Sequence, residues 1–348
     1  MDVPRISEPF GAARTRMEDI ARLAGVSVST VSRALAGSPK VTGDTRARIE
    51  AAVRDTGYVV NQVAQGLRLQ RSRQLLVLLP TIANPFFGEI IQGVEAAARA
   101  ASYGVLVGST EGDVRREAAL ARQLHTGVVD GLILLTGRVP DGLAAHVARG
   151  QVVAVSETIA GAAVLTVGIN NQAAAAAATR HLRDLGHRTI AHIGGPEGNV
   201  LTRQRLLGWR EVAGREGGEP VFGDFTMASG AAALRRLLAR GRPQAIVCAN
   251  DEMAIGAIKA LREAGLGVPR DVSVIGFDDI SFAAFSDPPL TTIRQPRREF
   301  GHAAVAALLH GVPPPELAFE LVLRGSTAPP APNRPSRPHQ GETHGRPF

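Results

Sequence analysis

Short apolar runs alternate with helical patterns along most of the chain beyond residue 73. The apolar runs occupy residues 75–79, 105–108, 131–135, 152–155, 189–193, 245–248 and 272–277. The helical patterns between them occupy residues 86–101, 114–126, 171–185, 203–216, 229–240 and 252–264. Strands that alternate with helices form parallel sheets with helices on both faces, and continuously apolar strands are buried on both sides.

This α/β segment is too long for one small sheet, since domains average roughly 100–200 residues. We therefore predict a core at 74–325 that is made of two doubly wound parallel-sheet subdomains. The first takes in residues 74–169 and 294–320, and the second residues 170–293. Ligands of such folds bind beyond the carboxyl ends of the strands, so we expect a ligand cleft there.

Residues 16–36 predict two short helices joined by a tight turn. Apolar residues repeat at helical spacing in the first helix, Gly25 ends it, and Ser27 is placed to cap the second. The outer face of the second helix carries Val28, Ser29, Ser32 and Arg33. Small polar groups beside one guanidinium are typical of the recognition helix of a helix-turn-helix. The alternative is an ordinary helical hairpin on a protein surface.

A third helix is predicted over residues 42–57, with Thr42 as its cap, and completes an all-α headpiece at 15–60. Residues 1–75 contain 12 Arg or Lys against 7 Asp or Glu, so most of the net charge of +7 lies in this part of the chain. Nearly all the basic residues are arginines, whose planar fork suits phosphate and guanine. This balance favours a polyanionic partner, and a solvated basic surface is the alternative.

Three further segments lack the pattern of a packed element. Residues 1–14 are expected to be a flexible arm, and the Pro-rich residues 326–348 a disordered tail. Residues 61–73 contain no acidic residue and few apolar ones, and Gly66 weakens a helix there by ~1 kcal/mol relative to alanine. We expect this linker to be marginally helical when free and to fold against DNA.

Several protein classes are disfavoured by what the sequence lacks. Cys248 is the single cysteine and lies in an apolar run, so we expect a buried structural residue and no cysteine-rich metal site. The N-terminus lacks the layout of a signal peptide, and no apolar run approaches the ~18 residues of a membrane span. No phosphate loop, nucleophile elbow or zinc-protease motif occurs. We expect no enzyme, cofactor, metal or membrane association, and a cytoplasmic location.

Short motifs follow one another in a distinctive order from residue 16 to residue 327. In the N-terminal part they are Asp19-Ile-Ala-Arg-Leu-Ala-Gly-Val-Ser, Thr30-Val-Ser-Arg-Ala-Leu, Gly57-Tyr58 and Val63-Ala64. In the core they include Asn84-Pro-Phe-Phe, Gly186-His-Arg, Arg205-Leu-Leu-Gly-Trp, Asn250-Asp-Glu-Met-Ala, Gly276-Phe-Asp-Asp and Leu290-Thr-Thr-Ile. In this order and spacing they resemble the LacI/GalR family of bacterial transcription regulators. The resemblance implies a helix-turn-helix headpiece and a core similar to periplasmic binding proteins.

The resemblance also implies contacts with double-stranded operator DNA. Positions that contact base edges in the major groove match Val28, Ser29 and Arg33. Positions that contact or neighbour phosphates match Ser27, Thr30, Ser32, Thr45, Tyr58 and Asn61. In the linker the matching positions are Ala64, Leu67 and Arg68. Leu67 matches a leucine that enters the minor groove, where an apolar wedge kinks the duplex.

Effector-binding positions of the family match residues around the expected cleft. Phe86 and Phe87 match one wall, and subdomain core is the alternative for both. The polar groups that hold hydroxyls or carboxylates match Arg205, Asn250 and Asp278, and Phe225 matches an aromatic that stacks on the ligand ring. A salt-paired surface position is the alternative for Arg205. Trp209 is interpreted as helix packing.

The sequence departs from the family pattern at several positions. Arg16 stands where relatives carry a threonine that caps the first helix, and Thr15 is a possible substitute one residue earlier. Asn170 replaces a frequent aspartate, which leaves the role of this position open. Ala36 and Val60 also depart from the pattern. We expect modest operator affinity from these changes.

We therefore expect a sequence-specific transcriptional repressor that is nucleoid-associated in the cytoplasm. Its effector is expected to be a sugar, a nucleoside or a small acid. Two chains would pair as a homodimer and place two headpieces on a near-palindromic operator. Effector binding would change the angle between the subdomains and so the spacing of the linkers. The alternative is a solute-binding receptor of the periplasmic type without a transcriptional role.

Overall fold

The structure, a computed structural model, describes residues 15–58 and 71–330. Two compact units make up the chain, Met1–Ser72 and Arg73–Phe348, and each is described by itself. The boundary between the units falls inside the predicted linker. The predicted arm lies outside the described residues, as do most of the linker and most of the tail.

The first residues of the predicted tail are packed. The Ser326 side chain is fully buried, and its Oγ donates a hydrogen bond to the carbonyl oxygen of Val274 at 2.6 Å. The carbonyl oxygen of Ser326 accepts from the Val274 N–H at 2.9 Å. Disorder beginning at residue 326 is therefore a wrong prediction for these residues, because their backbone pairs with a buried strand.

Within residues 15–58, the N-terminal unit forms three helices around a small core. They are α1 (Met17–Leu23), α2 (Val28–Leu35) and α3 (Gly43–Thr56). Each helix contributes one fully buried aliphatic residue, namely Ile20, Val31 and Ile49. Gly57 ends α3 in the left-handed conformation, with φ of 62°. The predicted helical headpiece is confirmed in its helix order and core.

Five strands of the second unit form a parallel sheet in the order β2-β1-β3-β4-β5. The strands are β1 (Gln74–Leu79), β2 (Gly104–Ser109), β3 (Gly131–Leu134), β4 (Val152–Val155) and β5 (Leu165–Val167). The helices are α4 (Pro85–Ala100), α5 (Val114–His125), α6 (Ala144–Ala148) and α11 (Arg297–His310). We call this part the first subdomain. Its β3 and β4 are buried along their whole length, as the apolar runs predict.

Six strands form a separate sheet in the order β11-β10-β9-β8-β6-β7, which defines the second subdomain. The strands are β6 (Ile190–Gly194), β7 (Val221–Phe222), β8 (Ala245–Cys248), β9 (Ser273–Asp278), β10 (Thr291–Arg294) and β11 (Glu320–Val322). The helices are α7 (Asn171–Asp184), α8 (Val200–Ala213), α9 (Met227–Leu238) and α10 (Asp251–Glu263). All strand pairs are parallel except β10 with β11. This antiparallel edge differs from the prediction, because the chain returns to the sheet after α11 of the first subdomain.

All seven predicted strands are present, whereas the four short strands β5, β7, β10 and β11 were not predicted. They span two to four residues, which is too short for a periodic pattern. Helix α8 begins at Val200 rather than 203, since Asn199 caps it.

Cys248 is fully buried, as expected, and burial raises the pKa of its thiol. No helix within the described ranges is long and apolar enough to cross a membrane.

Candidate functional site

The outer face of α2 carries the residues predicted to contact base edges. Val28, Ser29 and Arg33 are exposed, while Val31 and Ala34 of the same helix are buried in the headpiece core. The buried pair fixes the orientation of the helix and leaves its polar face open to solvent. This geometry is compatible with insertion into a major groove.

Hydroxyl groups cluster at the N-terminus of α2. Ser27 caps this helix as predicted, since its Oγ accepts a hydrogen bond from the Thr30 N–H at 3.2 Å. The same Oγ lies 2.9 Å from the hydroxyl oxygens of both Ser29 and Thr30. A helix N-terminus carries partial positive charge, so these short donors suit a phosphate group.

The remaining residues that were predicted to contact DNA are half-buried or lie outside the described residues. Ser32 and Thr45 are half-buried. Tyr58 is half-buried against the headpiece core, and this desolvation, together with the charge of Glu18, raises the pKa of its hydroxyl. The predicted linker contacts Asn61, Ala64, Leu67 and Arg68 lie outside the described residues.

Two predicted helix caps are wrong. Thr42 occupies the cap position of α3, but its hydroxyl donates to Thr45 Oγ1 at 3.0 Å instead of accepting from the helix backbone. Thr15 does not cap α1, because its hydroxyl donates to the carbonyl oxygen of Thr56 at 3.4 Å. The N-terminus of α1 is instead closed by Asp19, whose carboxylate accepts from the Arg16 N–H at 2.9 Å.

Polar side chains of the second subdomain converge beyond the carboxyl ends of β8 and β9. Arg205 on α8 is 3% exposed, which rules out the alternative of a surface position. Its Nε donates to Asn171 Oδ1 at 3.0 Å and its Nη1 to the carbonyl oxygen of Ala249, while Nη2 lies 3.8 Å from Asp278 Oδ1. Its guanidinium carbon lies 3.7 Å from the ring centroid of Phe277, which is a cation–π contact. We call Asn171, Arg205, Asn250, Asp278 and Gln295 the strand-end cluster.

Arg205 reaches Asn171 because the middle of α8 lies very close to the start of α7. A Cβ on Gly208 would be 2.1 Å from the carbonyl oxygen of Gln172, so only glycine permits this approach. Trp209 of the same helix is fully buried, and its Nε1 donates to the Ile190 carbonyl at 2.9 Å. The indole stacks on His192 at 5.4 Å, and burial lowers the pKa of that histidine to about 4. Trp209 therefore packs the helix, as interpreted from the sequence.

Asp278 ends β9 and is the most strained member of the cluster. Its Oδ1 accepts from Gln295 Nε2 at 2.7 Å. Burial raises its pKa to about 6, and the nearby Arg205 and Arg297 oppose this shift. Asp278 and Asp279 have φ values of 114° and 53°, and such conformations in residues other than glycine concentrate at functional sites.

A second buried carboxyl lies behind Asp278. Asp251 is fully buried at the start of α10 and accepts hydrogen bonds from the Ile280 N–H at 2.8 Å and from Thr292 Oγ1. Burial and the proximity of Asp278 raise the pKa of Asp251 well above its ordinary value. The Asp278 and Asp251 carboxyl groups thus both lie near the Arg205 guanidinium, and Arg297 is a second buried cation that acts on Asp278.

The Asn250 amide is engaged at both ends. Its Oδ1 caps α10 by accepting from the Met253 N–H, and its Nδ2 donates to the Phe225 carbonyl, both at 2.9 Å. Phe225 is half-buried with φ of 68°. A Cβ on residue 195 would lie 2.3 Å from its ring, so Gly195 is needed for the ring to lie there. Asn250 thus positions Phe225, and its amide keeps one N–H and one oxygen lone pair for a ligand.

The first subdomain contributes an acidic and an aromatic wall. Glu157 follows β4, and its Oε1 accepts from Asn199 Nδ2 of the second subdomain at 3.1 Å. Burial raises the pKa of Glu157, against the effects of Asn199 and Arg205. Phe86 is 6% exposed and belongs to the apolar core that also contains Phe277. Phe87 packs edge-on against Phe86 at 5.4 Å and keeps a partly exposed ring.

Four polar residues of this region were missed in the sequence, namely Asn171, Glu157, Asn199 and Gln295. A positional signal was available, because Glu157 and Gln295 come within two residues of a strand end, where ligands of such sheets bind.

Three buried polar atoms here have no hydrogen-bond partner among the described residues: Thr202 Oγ1, Gln295 Oε1 and Arg297 Nε. Buried polar groups are normally paired, so these atoms mark places for water or ligand atoms. The described ranges contain no group of three metal-ligating residues that could hold an ion.

The chain matches two protein-family models. Residues 16–61 match bacterial regulatory proteins of the lacI family, and residues 179–327 match the periplasmic binding protein-like domain. The first match covers the headpiece, and the second covers most of the second subdomain together with α11.

Curated relatives and solved structures are similar over both units. The HTH-type transcriptional repressor CytR of Escherichia coli (strain K12) is 38% identical over 326 residues, which cover 89% of this chain and 96% of the relative. The ribose operon repressor of the same organism is 37% identical over 317 residues, covering 86% and 94%. The lac repressor dimer bound to operator and the anti-inducer ONPF matches with a TM-score of 0.81 and 30% identity over 90% of this chain and 99% of that chain.

Proposed function

The chain belongs to the LacI family of bacterial regulatory proteins, and from this membership we propose which class of effector its strand-end cluster selects. It is a DNA-binding transcriptional repressor under small-molecule control and is not an enzyme. The similar lac repressor structure contains a dimer on operator DNA with an anti-inducer. By this likeness the chain pairs as a homodimer on its operator. We propose that it acts in the cytoplasm and in association with the nucleoid.

We propose that the effector is an uncharged polyhydroxylated molecule, either a sugar or a nucleoside. This proposal rests on the contacts that Arg205 already makes within the protein. Its guanidinium already contacts Asn171, the Ala249 carbonyl and Asp278, and it lies on the Phe277 ring. A buried cation that is satisfied in this way has little left to offer a ligand carboxylate.

The negative charges around Arg205 also favour an uncharged effector. The carboxyl groups of Glu157, Asp251 and Asp278 all act on Arg205. An acidic effector would add a further negative charge to this buried group, which is unfavourable at low dielectric. The hydroxyl groups of an uncharged effector, in contrast, can donate hydrogen bonds to the Asp278 carboxylate and accept hydrogen bonds from nearby donor groups. Small acids are therefore dropped from the three effector classes that the sequence allowed.

Aromatic rings complete the proposed site. Phe225 is held over Gly195 and is only half-buried, so its face is available to a flat sugar or base. Phe87 offers a second partly exposed ring from the first subdomain. The name of one relative refers to a ribose operon, which agrees with a pentose or a compound that contains one. Arg205, Asn250, Asp278 and the three phenylalanines at 86, 87 and 225 are thus the proposed effector-binding residues.

A matched pair of compounds tests the effector class. Operator fragments are first selected from random duplex DNA by the full-length protein, and the complex is followed by fluorescence anisotropy. We expect D-ribose or an uncharged nucleoside such as uridine to shift operator affinity, and D-ribonate to leave it unchanged. A response to the acid alone would refute the proposal.

The alternative of a periplasmic-type receptor is disfavoured by the headpiece. A receptor has no use for a three-helix unit that exposes Arg33 beside a cluster of hydroxyls. Binding to duplex DNA that weakens steeply with salt separates the two functions, because only the regulator displaces counterions from phosphates.

A further inference from the structure

We propose that a second small-molecule site lies beside the strand-end cluster, in a groove at the β5 edge of the first sheet. The groove encloses about 430 Å³, within the range of small-molecule sites. It is lined by the end of β4, the crossover from β5 to α7, the start of α8 and residues 314–316. We call it the edge groove. Its proposed ligand is an uncharged mono- or disaccharide.

The walls of the edge groove are polar but almost uncharged. Hydroxyl groups come from Ser156, Thr158 and Thr166, and amides come from four Asn and Gln side chains. Glu316 is the one charged side chain among the lining residues. Because no cation lines the groove, an anionic ligand would meet a carboxylate without compensation. Mixed donors and acceptors without net charge instead suit the hydroxyl groups of a saccharide.

The Ser156 hydroxyl is an independent sign of a ligand. The residue is 8% exposed and lines the groove, and its Oγ has no hydrogen-bond partner among residues 71–330. Its backbone has φ of 71°, which is unfavourable for serine. A buried hydroxyl without a partner is destabilising, whereas a ligand hydroxyl in the groove would satisfy it.

Proline rings supply the apolar part of the groove. Pro314 and Pro315 line it, and the Leu317 N–H donates to the Gly168 carbonyl at 3.2 Å, which holds this segment against the crossover. Sugars present apolar C–H faces as well as hydroxyl groups. Rigid apolar rings together with amides and hydroxyls match both parts of such a ligand.

Asn171 connects the edge groove to the strand-end cluster. It lines the groove and is 3% exposed. Its Oδ1 accepts from Arg205 Nε at 3.0 Å, and its Nδ2 donates to the Ile169 carbonyl at 3.3 Å. A ligand that moves Asn171 would therefore move the guanidinium of the effector site. Such coupling acts equally in both directions between the two sites.

Binding of D-xylose to full-length variants, measured by ligand-observed NMR titration, tests the edge groove. Thr158→Trp fills the groove from an exposed position, and Thr126→Trp, at the exposed C-cap of α5, is the matched control. Ser156→Ala removes the unpaired hydroxyl with little change in shape. Phe225→Ala removes an aromatic ring from the proposed effector site, and Phe225 does not belong to the groove lining.

We expect D-xylose to bind Phe225→Ala and Thr126→Trp about as tightly as the wild type. Thr158→Trp should weaken binding at least about tenfold, and Ser156→Ala by roughly threefold or more. Binding that is lost in Phe225→Ala but kept in Thr158→Trp would place the sugar in the effector site and overturn the second site. Absence of binding to every form at tens of millimolar would overturn it as well. Failure of the proposed effector class would appear separately, in the operator titrations.

Discussion

Asn199 joins the two subdomains by donating a hydrogen bond of 3.1 Å to the carboxylate of Glu157. The same side chain caps α8, because its Oδ1 accepts from the N–H groups of Leu201 and Thr202 at 2.8 and 3.1 Å. One amide therefore fixes the start of the helix that carries Arg205 and also fixes the position of that helix against the first subdomain.

Asn199→Ser separates these two roles, since serine also caps helices well but cannot reach Glu157 as a donor. We expect effector affinity to fall about threefold to tenfold, the worth of one hydrogen bond, with the thermal midpoint of unfolding nearly unchanged. Asn199→Asp keeps the cap and places a second carboxylate against Glu157, so its affinity loss should be larger. Isothermal titration that finds all three proteins equal would show that the contact does not matter for effector binding.

Arg205→Ala should abolish the effector response and leave operator binding in place. The guanidinium organises Asn171 and Asp278, and its removal leaves two buried groups without their partner. Operator anisotropy with and without effector measures both properties. Arg203→Ala, at the exposed neighbouring position, is the control and should respond normally. A normal effector titration of Arg205→Ala would contradict the assignment of this site.

Effector affinity should depend on pH through Asp278. Burial raises the pKa of this carboxyl to about 6, and its ionised form accepts stronger hydrogen bonds from effector hydroxyl groups than its protonated form does. Affinity should therefore be constant above pH 7, fall as the pH drops through 6, and lose up to about tenfold for each further unit. Asp278→Asn should bind weakly and without this dependence. If equilibrium dialysis finds the same wild-type effector affinity at every pH between 5 and 8, Asp278 does not accept hydrogen bonds from the effector.

Arg33→Ala should reduce operator affinity by about 1–3 kcal/mol while non-specific binding changes little. The reason is that Arg33 is placed on the exposed face of α2 to contact base edges. Competition between operator and random duplex measures the loss of specificity. Arg48→Ala removes an equal charge from the exposed surface of α3 and should preserve the ratio. Equal losses on both DNAs would mean that Arg33 contacts phosphates.

Leu67→Gly should weaken operator binding at least about tenfold and leave effector binding unchanged. The expected cause is loss of the apolar side chain that the family resemblance places in the minor groove. Leu67→Met keeps an apolar side chain of similar size and is the control. If Leu67→Gly keeps full operator affinity in a binding titration, the prediction that Leu67 enters the minor groove is wrong.

Much of the fold was predictable because its signals are local. The cap at Ser27 and the left-handed Gly57 delimit helices through contacts within a few residues. The apolar strands from 75 to 277 are recognisable since burial on both faces demands an unbroken apolar run. The short strands β7 and β11 carry no such run, and their pairing depends on neighbours that are distant in the chain.

The candidate site was less predictable, because its chemistry depends on which side chains pair. Asn250 is a predicted ligand residue, and the sequence did not show that its amide also serves the Met253 N–H and the Phe225 carbonyl. Phe86 is a predicted wall residue, and the sequence did not show that only a small part of it is exposed. Asn171 received no role from the sequence, since it meets Arg205 only when α7 and α8 pack closely. Such pairings are set by helix packing, which short sequence patterns do not encode.

Trp209 is the one tryptophan of the chain, and it lies one helical turn beyond Arg205, sealed from solvent against a histidine whose pKa is about 4. All indole emission of this molecule therefore originates at one known position, and its histidine neighbour stays uncharged across the physiological pH range. The unlabelled protein thus carries its own optical reporter beside the proposed effector site, with a single emitting indole in each chain and no dye to attach.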